Sequence, residues 1–313
     1  MERVVIAAAS NIDHIVINGV KSKSFLNGAA VYAGYASAMQ NKTRVITCVG
    51  DEPENEEALI KSQNYNKSQY PEINFIKIKD GKSFKQTFTE VDGKLEVTDK
   101  DYGNYNEWEP DVPQFSTDTL LLGTGNPIFQ KCVLDSCTHA NNILLDSKLI
   151  HFKVRADKVD ELLKRVDTFL GTKEEMEQLL RNCDLPITMT SALFEKYPNL
   201  KVIVEKNSGK GGRVFVKDGT LYRYQPIQPS QEICVDGAGD VFAGTYAGLL
   251  SKGENLKEVI RKSAEVAAES VKHFGIRKIK RGLTASSDIR VVVEESRWKS
   301  KDERDEKDTD RSH

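Results

Sequence analysis

The residues best suited to chemistry lie in one short segment, 234–244. An apolar strand end leads into the turn Gly237, Ala238 and Gly239, and Asp240 follows at the start of an amphipathic helix. A helix start offers unpaired backbone N–H groups and partial positive charge, and glycine lets the backbone approach a phosphate closely. We therefore expect the turn to stabilise a transferring phosphoryl group while Asp240, as general base, takes the proton of an attacking hydroxyl.

This motif also carries a family resemblance. The Gly-Ala-Gly-Asp sequence at 237–240, with Phe242 and the small residues Ala243, Gly244 and Ala247, resembles the second signature motif of the ribokinase-like (PfkB) carbohydrate kinases. A glycine turn before an acid-capped helix also occurs in other α/β proteins, so the motif alone leaves that alternative open. The resemblance implies an ATP-dependent kinase, with Mg²⁺ as cofactor, that phosphorylates a hydroxyl of a small sugar, polyol or nucleoside. It makes the aspartate the base and the three residues before it the anion hole.

Composition restricts the class of protein. A chain of 313 residues with 39% hydrophobic and 29% charged residues is typical of a globular protein with one large domain. The net charge of −2 gives no electrostatic basis for binding nucleic acid or an anionic membrane. No apolar run approaches the length of a membrane span, and the first residues lack the layout of a signal peptide. Five cysteines without a Cys-x-x-Cys pair fit reduced thiols, so we expect a cytoplasmic enzyme.

The order of apolar segments predicts the fold. Strand-like and helix-like segments alternate, which indicates an α/β fold with a mostly parallel sheet flanked by helices, as in ribokinase-like proteins. The predicted strands are residues 4–8, 43–49, 120–122, 143–145, 168–170, 202–204 and 214–216, and the predicted helices are 28–39, 129–137, 157–166 and 173–181 and those that begin at Asp240 and Leu256.

Two regions interrupt this alternation. Residues 14–20 alternate polar and apolar side chains, and residues 73–97 contain strand-like segments joined by the turn signals Asp80-Gly81 and Asp92-Gly93. They predict a small β-sheet that forms a lid over a site, and the resemblance implies a lid from the same regions. Such short strands have open edges and need something to pack on, so we expect a mobile lid and favour a homodimer joined through two lids over a monomer.

The end of the chain differs in composition from the rest. Residues 296–313 are dense in charged residues and nearly free of apolar ones, with the exception of Trp298. This composition predicts a disordered tail after a kinase domain at residues 1–295. A nucleic-acid-binding tail is the alternative, but positive and negative charges are mixed and cancel.

Candidate acceptor-binding residues follow the first predicted strand. Asn11 and Asp13 stand at its carboxyl end, where open α/β sheets bind ligands, and their spacing places both side chains on one side of an extended chain. A solvated turn is the alternative. The pair resembles the Asn-x-Asp with which members of the family bind the sugar. Residues 27–33 resemble the first signature motif, which implies that Gly28 and Tyr32 also contact the acceptor. Tyr32 stands where sugar kinases often have asparagine, which weakens the case for ribose.

Candidate nucleotide and metal residues come from two other segments. Thr172 and Glu175 match the family's Asn-x-x-Glu segment with threonine in place of asparagine, and the resemblance implies that Glu175 orders the water around Mg²⁺. Lys206, Asn207 and Gly209 lie between two predicted strands, at the place of the family's nucleotide segment. They do not form a Walker A loop, and a plain hairpin turn is the alternative.

Departures from the family motifs leave other functions open. Thr172, Glu205 and Cys234 replace residues that are usual in the family, so a non-catalytic relative that binds a sugar or nucleotide as a sensor remains an alternative. Cys234 and Val235 also stand where the family helps to form a monovalent-cation site, which leaves potassium activation open. A Rossmann-type NAD enzyme is excluded because no Gly-x-Gly-x-x-Gly follows the first predicted strand.

Overall fold

The structure, a computed structural model, describes residues 3–52, 72–91, 94–226, 234–273 and 290–298. Within these ranges the chain forms a large sheet of ten strands and a small sheet of four. Helices cover the large sheet on both faces. The predicted α/β fold with a mostly parallel sheet is therefore confirmed. Among the helices of these ranges, none has both the length and the apolar character that crossing a membrane requires.

The large sheet is parallel over most of its width. Seven adjacent strands run parallel, and three further strands add an antiparallel edge. In spatial order the strands are β14 (Val291–Arg297), β13 (Thr220–Pro226), β12 (Gly212–Val216), β11 (Val202–Lys206), β10 (Thr168–Thr172), β9 (Cys137–Asp146), β8 (Phe115–Leu122), β1 (Val4–Ala7), β4 (Thr43–Gly50) and β5 (Glu72–Ile78).

Two layers of helices bury this sheet, which explains its continuous apolar strands. In β1, Val5 and Ala7 face one helical layer while Val4 and Ile6 face the other. The first layer consists of α2 (Pro127–Ser136), α3 (Leu149–Val154), α4 (Ala156–Leu163), α5 (Lys173–Asn182) and α6 (Leu193–Lys196), and the second of α1 (Ala29–Ala38), α7 (Ala238–Leu250) and α8 (Leu256–Ser270).

The second layer packs unusually closely. A Cβ atom added to Gly244 of α7 would lie 2.1 Å from the carbonyl oxygen of Ala33 in α1. The two helix backbones therefore touch at a position where only glycine fits. This contact explains the small residues that the sequence concentrates in both helices.

The small sheet stands apart from the large one and corresponds in part to the predicted lid. In spatial order its strands are β3 (Val20–Asn27), β2 (Asn11–Ile17), β6 (Lys85–Val91) and β7 (Lys94–Asp101). The turn between its first two strands, Asn18-Gly19, has positive φ at both residues and is a hairpin signal that the sequence analysis overlooked. Asp92-Gly93, the predicted turn between the last two strands, lies outside the described residues.

The prediction that residues 73–79 belong to the lid is wrong. They form β5, which runs parallel to β4 at the edge of the large sheet. Ile73 and Phe75 pack against the layer of α1, whereas Ile76 and Ile78 pack against the opposite layer. Because both helical layers extend over this edge, a strand with apolar side chains on both faces is more stable there than in an exposed small sheet.

The prediction that residues 296–298 belong to a detached tail is also wrong. β14 continues to Arg297 and pairs with β13. The Trp298 ring stacks on Phe194 with centroids 6.0 Å apart, and its Nε1 donates a hydrogen bond to the carbonyl oxygen of Val216 at 3.0 Å. Strand pairing at the sheet edge and the packing of the Trp298 ring therefore order these residues despite their charged composition. Residues 299–313 lie outside the described residues, and the rest of the domain boundary stays a prediction.

Trp298→Ala should lower the free energy of unfolding by about 1–3 kcal/mol, because it removes a half-buried aromatic contact and a hydrogen bond. Trp298→Phe should recover part of this loss. Val292→Ala, on the exposed face of the same strand, is the matched control and should change stability by less than about 0.5 kcal/mol. Urea unfolding measures all three variants. Equal stability of the Trp298→Ala and Val292→Ala variants would contradict docking of the tryptophan.

Candidate active site

A cavity lies where the carboxyl ends of β1, β8 and β9 meet the small sheet and the start of α7. We call it the central cavity. Such a position is where open α/β sheets bind ligands. Most of its walls are buried, whereas Lys148 and Asp236 are exposed at its opening. Its lining residues are Ala9, Asn11, Gly28, Ala29, Tyr32, Phe84, Gln86, Thr124, Lys148, Asp236 and Asp240.

The predicted anion turn forms the start of α7. Gly237 has φ +79°, and a Cβ atom there would lie 2.3 Å from Cδ2 of Tyr32. Both the backbone conformation and the packing therefore require glycine. A Cβ atom on Gly239 would lie 3.6 Å from Nζ of Lys206, so the lysine ammonium is beside the turn. The helix start and this cation together make an anion-binding environment.

Asp240 follows the turn and lines the central cavity. Burial raises the pKa of its carboxyl to about 6, and the charge of Asp146 raises it further. Lys148 and a hydrogen bond from the Thr124 hydroxyl oppose that rise, while Asp236 adds to it. At neutral pH the carboxylate is therefore ionised but more basic than an ordinary aspartate. These are the properties that a general base needs.

A buried hydrogen-bond network holds the predicted acceptor residues. The side-chain amides of Asn11 and Asn27 donate to the two carboxylate oxygens of Asp13, which confirms that Asn11 and Asp13 face the same side. The Asn27 amide also donates to the Tyr32 hydroxyl at 2.5 Å. Burial raises the pKa of Asp13 to about 7, with a further contribution from the charge of Asp236. Asp13 is fully buried behind Asn11, so Asn11, Gly28 and Tyr32 line the central cavity but Asp13 does not.

A buried ion pair lies on the other side of the anion turn. Nζ of Lys206 is 2.8 Å from Oδ2 of Asp146, at the carboxyl ends of two strands of the large sheet. Burial raises the pKa of Asp146 to about 6, although Lys206 counteracts the effect. Burial alone would lower the pKa of Lys206, but the charges of Asp146 and Glu175 raise it. The lysine therefore remains protonated next to the turn.

Glu175 and Thr172 hold two helix starts in place. Thr172 and Glu175 form a capping box on α5, in which the Thr172 N–H donates to Oε2 of Glu175 at 2.7 Å. The Leu149 N–H donates to Oε1 at 3.1 Å, so the same carboxylate also caps α3. Burial raises the pKa of Glu175. In the part of the chain that the structure describes, no cluster of three or more His, Cys, Asp or Glu residues could by itself hold a metal ion.

The remaining predicted nucleotide residues lie in a closed hairpin between β11 and β12. The Asn207 N–H donates to the Gly211 carbonyl at 2.7 Å, and Ser208–Lys210 form a single 3₁₀ turn. This geometry is that of the plain hairpin turn. The segment reaches the anion turn through Lys206, and a nucleotide contact of Asn207 or Gly209 stays a prediction.

Besides Ala9 and Ala29, sequence reasoning missed five residues that line the central cavity: Phe84, Gln86, Thr124, Lys148 and Asp236. They come from separate loops and strands, and no spacing in the sequence connects them. Two had a local signal, because Asp236 directly precedes the anion turn and Lys148 closely follows a predicted strand. Phe84, Gln86 and Thr124 had no such signal, because only the tertiary positions of the small sheet and of the loop after β8 bring them to the cavity.

Comparison with known sequences identifies relatives among kinases. The family described as pfkB family carbohydrate kinase matches residues 27–280. A cytidine kinase of Thermococcus kodakarensis is 28% identical over 39% of this chain and 42% of its own length. A 2-dehydro-3-deoxygalactonokinase of Haloferax volcanii is 26% identical over 49% of this chain and 46% of its own length. The chain thus spans less than half the length of these curated relatives.

Solved structures share the fold over nearly their whole length. The Methanocaldococcus jannaschii nucleoside kinase, an archaeal member of the ribokinase family, has a TM-score of 0.69 and 18% identity over 90% of this chain and 98% of its own. Arabidopsis thaliana ribokinase, solved with ribose and ATP, has a TM-score of 0.68 and 17% identity, with 90% and 99% covered. Burkholderia thailandensis nucleoside kinase, solved with inosine, has a TM-score of 0.65 and 12% identity, with 90% and 98% covered. These likenesses establish a ribokinase-like fold, and since the family match spans most of the chain, the chain belongs to the pfkB family of carbohydrate kinases.

Proposed function

We propose that this chain is an ATP-dependent phosphotransferase that phosphorylates a hydroxyl of a small sugar, polyol or nucleoside. One observation carries the proposal: Asp240, poised as a base, faces the central cavity from the first turn of α7, next to an anion turn that Lys206 flanks. The cavity also contains Asn11 and Tyr32, which suit the binding of a hydroxylated acceptor.

The transfer uses groups on both sides of the turn. Asp240 accepts the proton of the acceptor hydroxyl as its oxygen forms a bond to the γ-phosphorus of ATP. The bond from that phosphorus to the bridging oxygen breaks, and ADP leaves. Backbone N–H groups of Gly237, Ala238 and Gly239 stabilise the negative charge of the transferring group, and the Lys206 ammonium lies close enough to share this role.

Nucleotide and metal binding are assigned to the same edge of the sheet. We place ATP against Thr172, Lys206, Asn207 and Gly209, so that its terminal phosphate reaches the anion turn. Mg²⁺ bound to nucleotides typically takes one or two protein carboxylates and completes its shell with phosphate and water. We assign Asp146 and Glu175 to that role, because both are carboxylates whose charges act on Lys206 beside the anion turn, and Asp146 lies 2.8 Å from its Nζ. The ion, when bound, would supply charge neutralisation at the phosphates.

The departures from family motifs have structural explanations that support an enzyme over a non-catalytic sensor. Thr172 caps α5, as an asparagine would. Glu205 forms a two-pronged pair with Arg213, with both distances 3.1 Å. Cys234 is buried. None of these three residues lines the central cavity.

Asp240→Asn should leave folding and ATP binding nearly unchanged and lower kcat by at least about 100-fold, because the amide keeps the shape and loses the proton acceptor. Steady-state kinetics measure the loss, and thermal unfolding and ATP titration are the controls. If the variant retains about a third of the activity or more, Asp240 is not the general base.

The pH dependence tests the same carboxylate through its neighbours. We expect kcat/KM to rise with pH through about 6 and to level above it, because the base must be ionised. Asp146→Asn should shift this limb to lower pH, because the Asp146 charge raises the pKa of Asp240. Lys148→Gln should shift it to higher pH, because it removes a stabilising cation. Shifts in the same direction would show that another group titrates.

The small sheet is proposed to act as a lid and to join two copies of the chain. Ile17, Val20 and Val91 lie at one end of this sheet with 43%, 69% and 40% of their surface exposed. The first two pair with each other across β2 and β3. An exposed apolar end of this kind suits contact with the same surface of a second copy.

Hydrogen exchange measures both the closure of the lid and the pairing of two copies. Backbone amides of β6 should gain protection when the acceptor binds, because closure excludes water, and those near Val20 should gain it with rising protein concentration. Val20→Asp should abolish only the concentration effect, while Val292→Ala, an exposed residue of the large sheet, should change neither. Exchange that is insensitive to acceptor would exclude a closing lid.

A further inference from the structure

One side-chain amide, that of Asn27, links the small sheet to the second helical layer. Asn27 ends β3, is 2% exposed, and has a side-chain nitrogen with two N–H groups. One of them donates to Oδ2 of Asp13 in β2, and the other donates to the Tyr32 hydroxyl in α1, 2.5 Å away. The amide therefore bridges a carboxylate and a phenol that belong to different parts of the fold.

The strand register explains why these side chains meet. Asn11 and Asn27 stand directly opposite each other in β2 and β3, and Asp13 lies two residues further along, so all three share one face. Gln86, which pairs with Asp13 across β2 and β6, makes a further hydrogen bond to its carboxylate. Asp13 has no exposed surface, so amides from three strands surround this carboxylate.

Tyr32 continues the link to the anion turn. A Cβ atom on Gly237 would lie 2.3 Å from Cδ2 and 2.4 Å from Cε2 of Tyr32, so the ring lies directly against the turn. Tyr32 also lines the central cavity, as Asp240 does. A continuous series of contacts therefore runs from Asp13 through Asn27 and Tyr32 to the backbone that precedes Asp240.

The oxygen of the Asn27 amide indicates that this link does more than stabilise the fold. Among the residues that the structure describes, the buried Oδ1 has no hydrogen-bond partner. A buried carbonyl oxygen of this kind is unfavourable for folding. Turning the amide over would place the oxygen against the Asp13 carboxylate, which also only accepts hydrogen bonds. The two contacts of the nitrogen therefore fix the orientation of the amide.

We propose that Asn27 is a positioning residue, which holds Asp13 and Tyr32 together and thereby sets the position of the small-sheet wall of the central cavity relative to the anion turn. Asp13 acts through the amides that surround it and does not itself contact the acceptor. This role rests on the proposed function and deepens it, because Asn27 does not line the cavity and acts through Tyr32, which does.

Exchanging the two partners of the hydrogen bond between Asp13 and Asn27 tests this role. Asp13→Asn places two amide nitrogens against each other, and Asn27→Asp places two carboxylates against each other. Each change should lower kcat/KM for the acceptor by at least about tenfold, because the wall shifts relative to the base. The combined variant again pairs a donor with an acceptor, and the Tyr32 hydroxyl can donate to the new carboxylate. It should recover to within about threefold of wild type.

The measurement separates the acceptor from the nucleotide. Steady-state kinetics use the sugar, polyol or nucleoside that the wild-type protein phosphorylates best in a panel of all three classes. KM for ATP should change by less than about twofold in every variant, because the network lies on the acceptor side. Asn27→Ala, which removes the amide without adding a charge, should show the same split between acceptor and ATP. Thermal unfolding shows whether each variant folds.

Asn41→Ala is the matched control. Its side-chain nitrogen donates to Oγ of Ser251 at 2.9 Å, so it joins the segments that follow the carboxyl ends of α1 and α7. This hydrogen bond links the same two helices at the ends away from the cavity. Its loss should lower thermal stability but leave kcat and both KM values unchanged.

Failure of this role and failure of the proposed function are distinguishable. If the combined variant is unfolded, or no more active than Asp13→Asn, the positioning role of Asn27 is overturned while the kinase remains. The same follows if Asn27→Ala raises KM for ATP as much as KM for the acceptor, or if Asn41→Ala reproduces its effect. Single variants that unfold beside a combined variant that is folded and active would support the role. If the wild-type protein phosphorylates nothing in the panel, the proposed function fails and this role fails with it.

Discussion

The close contact between α1 and α7 is the constraint on which the site depends. Gly244 lets the two backbones touch at Ala33, and Gly237 lets the anion turn lie against the ring of Tyr32. Any side chain at either glycine would push α7 away and move its first turn. The same two contacts therefore fix the fold of one helical layer and the position of Asp240. Helix packing and the placement of the Asp240 carboxylate therefore depend on the same two glycines.

Electrostatics then sets the chemistry of the cavity. Burying carboxylates is costly, and here the cost is offset by hydrogen bonds and by a paired lysine rather than by solvent. Lys206 stabilises Asp146, and two asparagine amides stabilise Asp13. Burial and the charge of Asp146 raise the pKa of Asp240, and the charge of Lys148 limits the rise. A carboxylate more basic than that of an ordinary aspartate is thus a consequence of burial and of how the surrounding charges are distributed.

The small sheet supplies one wall of the central cavity. Its strands carry Asn11, Asp13 and Gln86, whereas Asp240 and Lys206 belong to the large sheet and its helices and Lys148 follows β9. Phe84 precedes β6 and stacks on Tyr102 with ring centroids 4.9 Å apart, which ties the small sheet to the loop after β7. In the proposed reaction, motion of one sheet relative to the other would change the distance between the acceptor hydroxyl and Asp240.

The features that depend on local geometry could be predicted from the order of residues. The alternating segments predicted the parallel sheet, the Gly-Ala-Gly-Asp motif predicted the start of α7, and the two-residue spacing of Asn11 and Asp13 placed them on one side. The sequence did not show which strands pair or which side chains pack together. A strand pattern shows which side chains share a face but not which sheet the strand joins. The predictions for residues 73–79 and for Trp298 were therefore wrong, because long-range packing determines where both lie. Lys148 and Asp236 likewise acquire meaning only in the tertiary structure, because charges from distant segments act on one another through space.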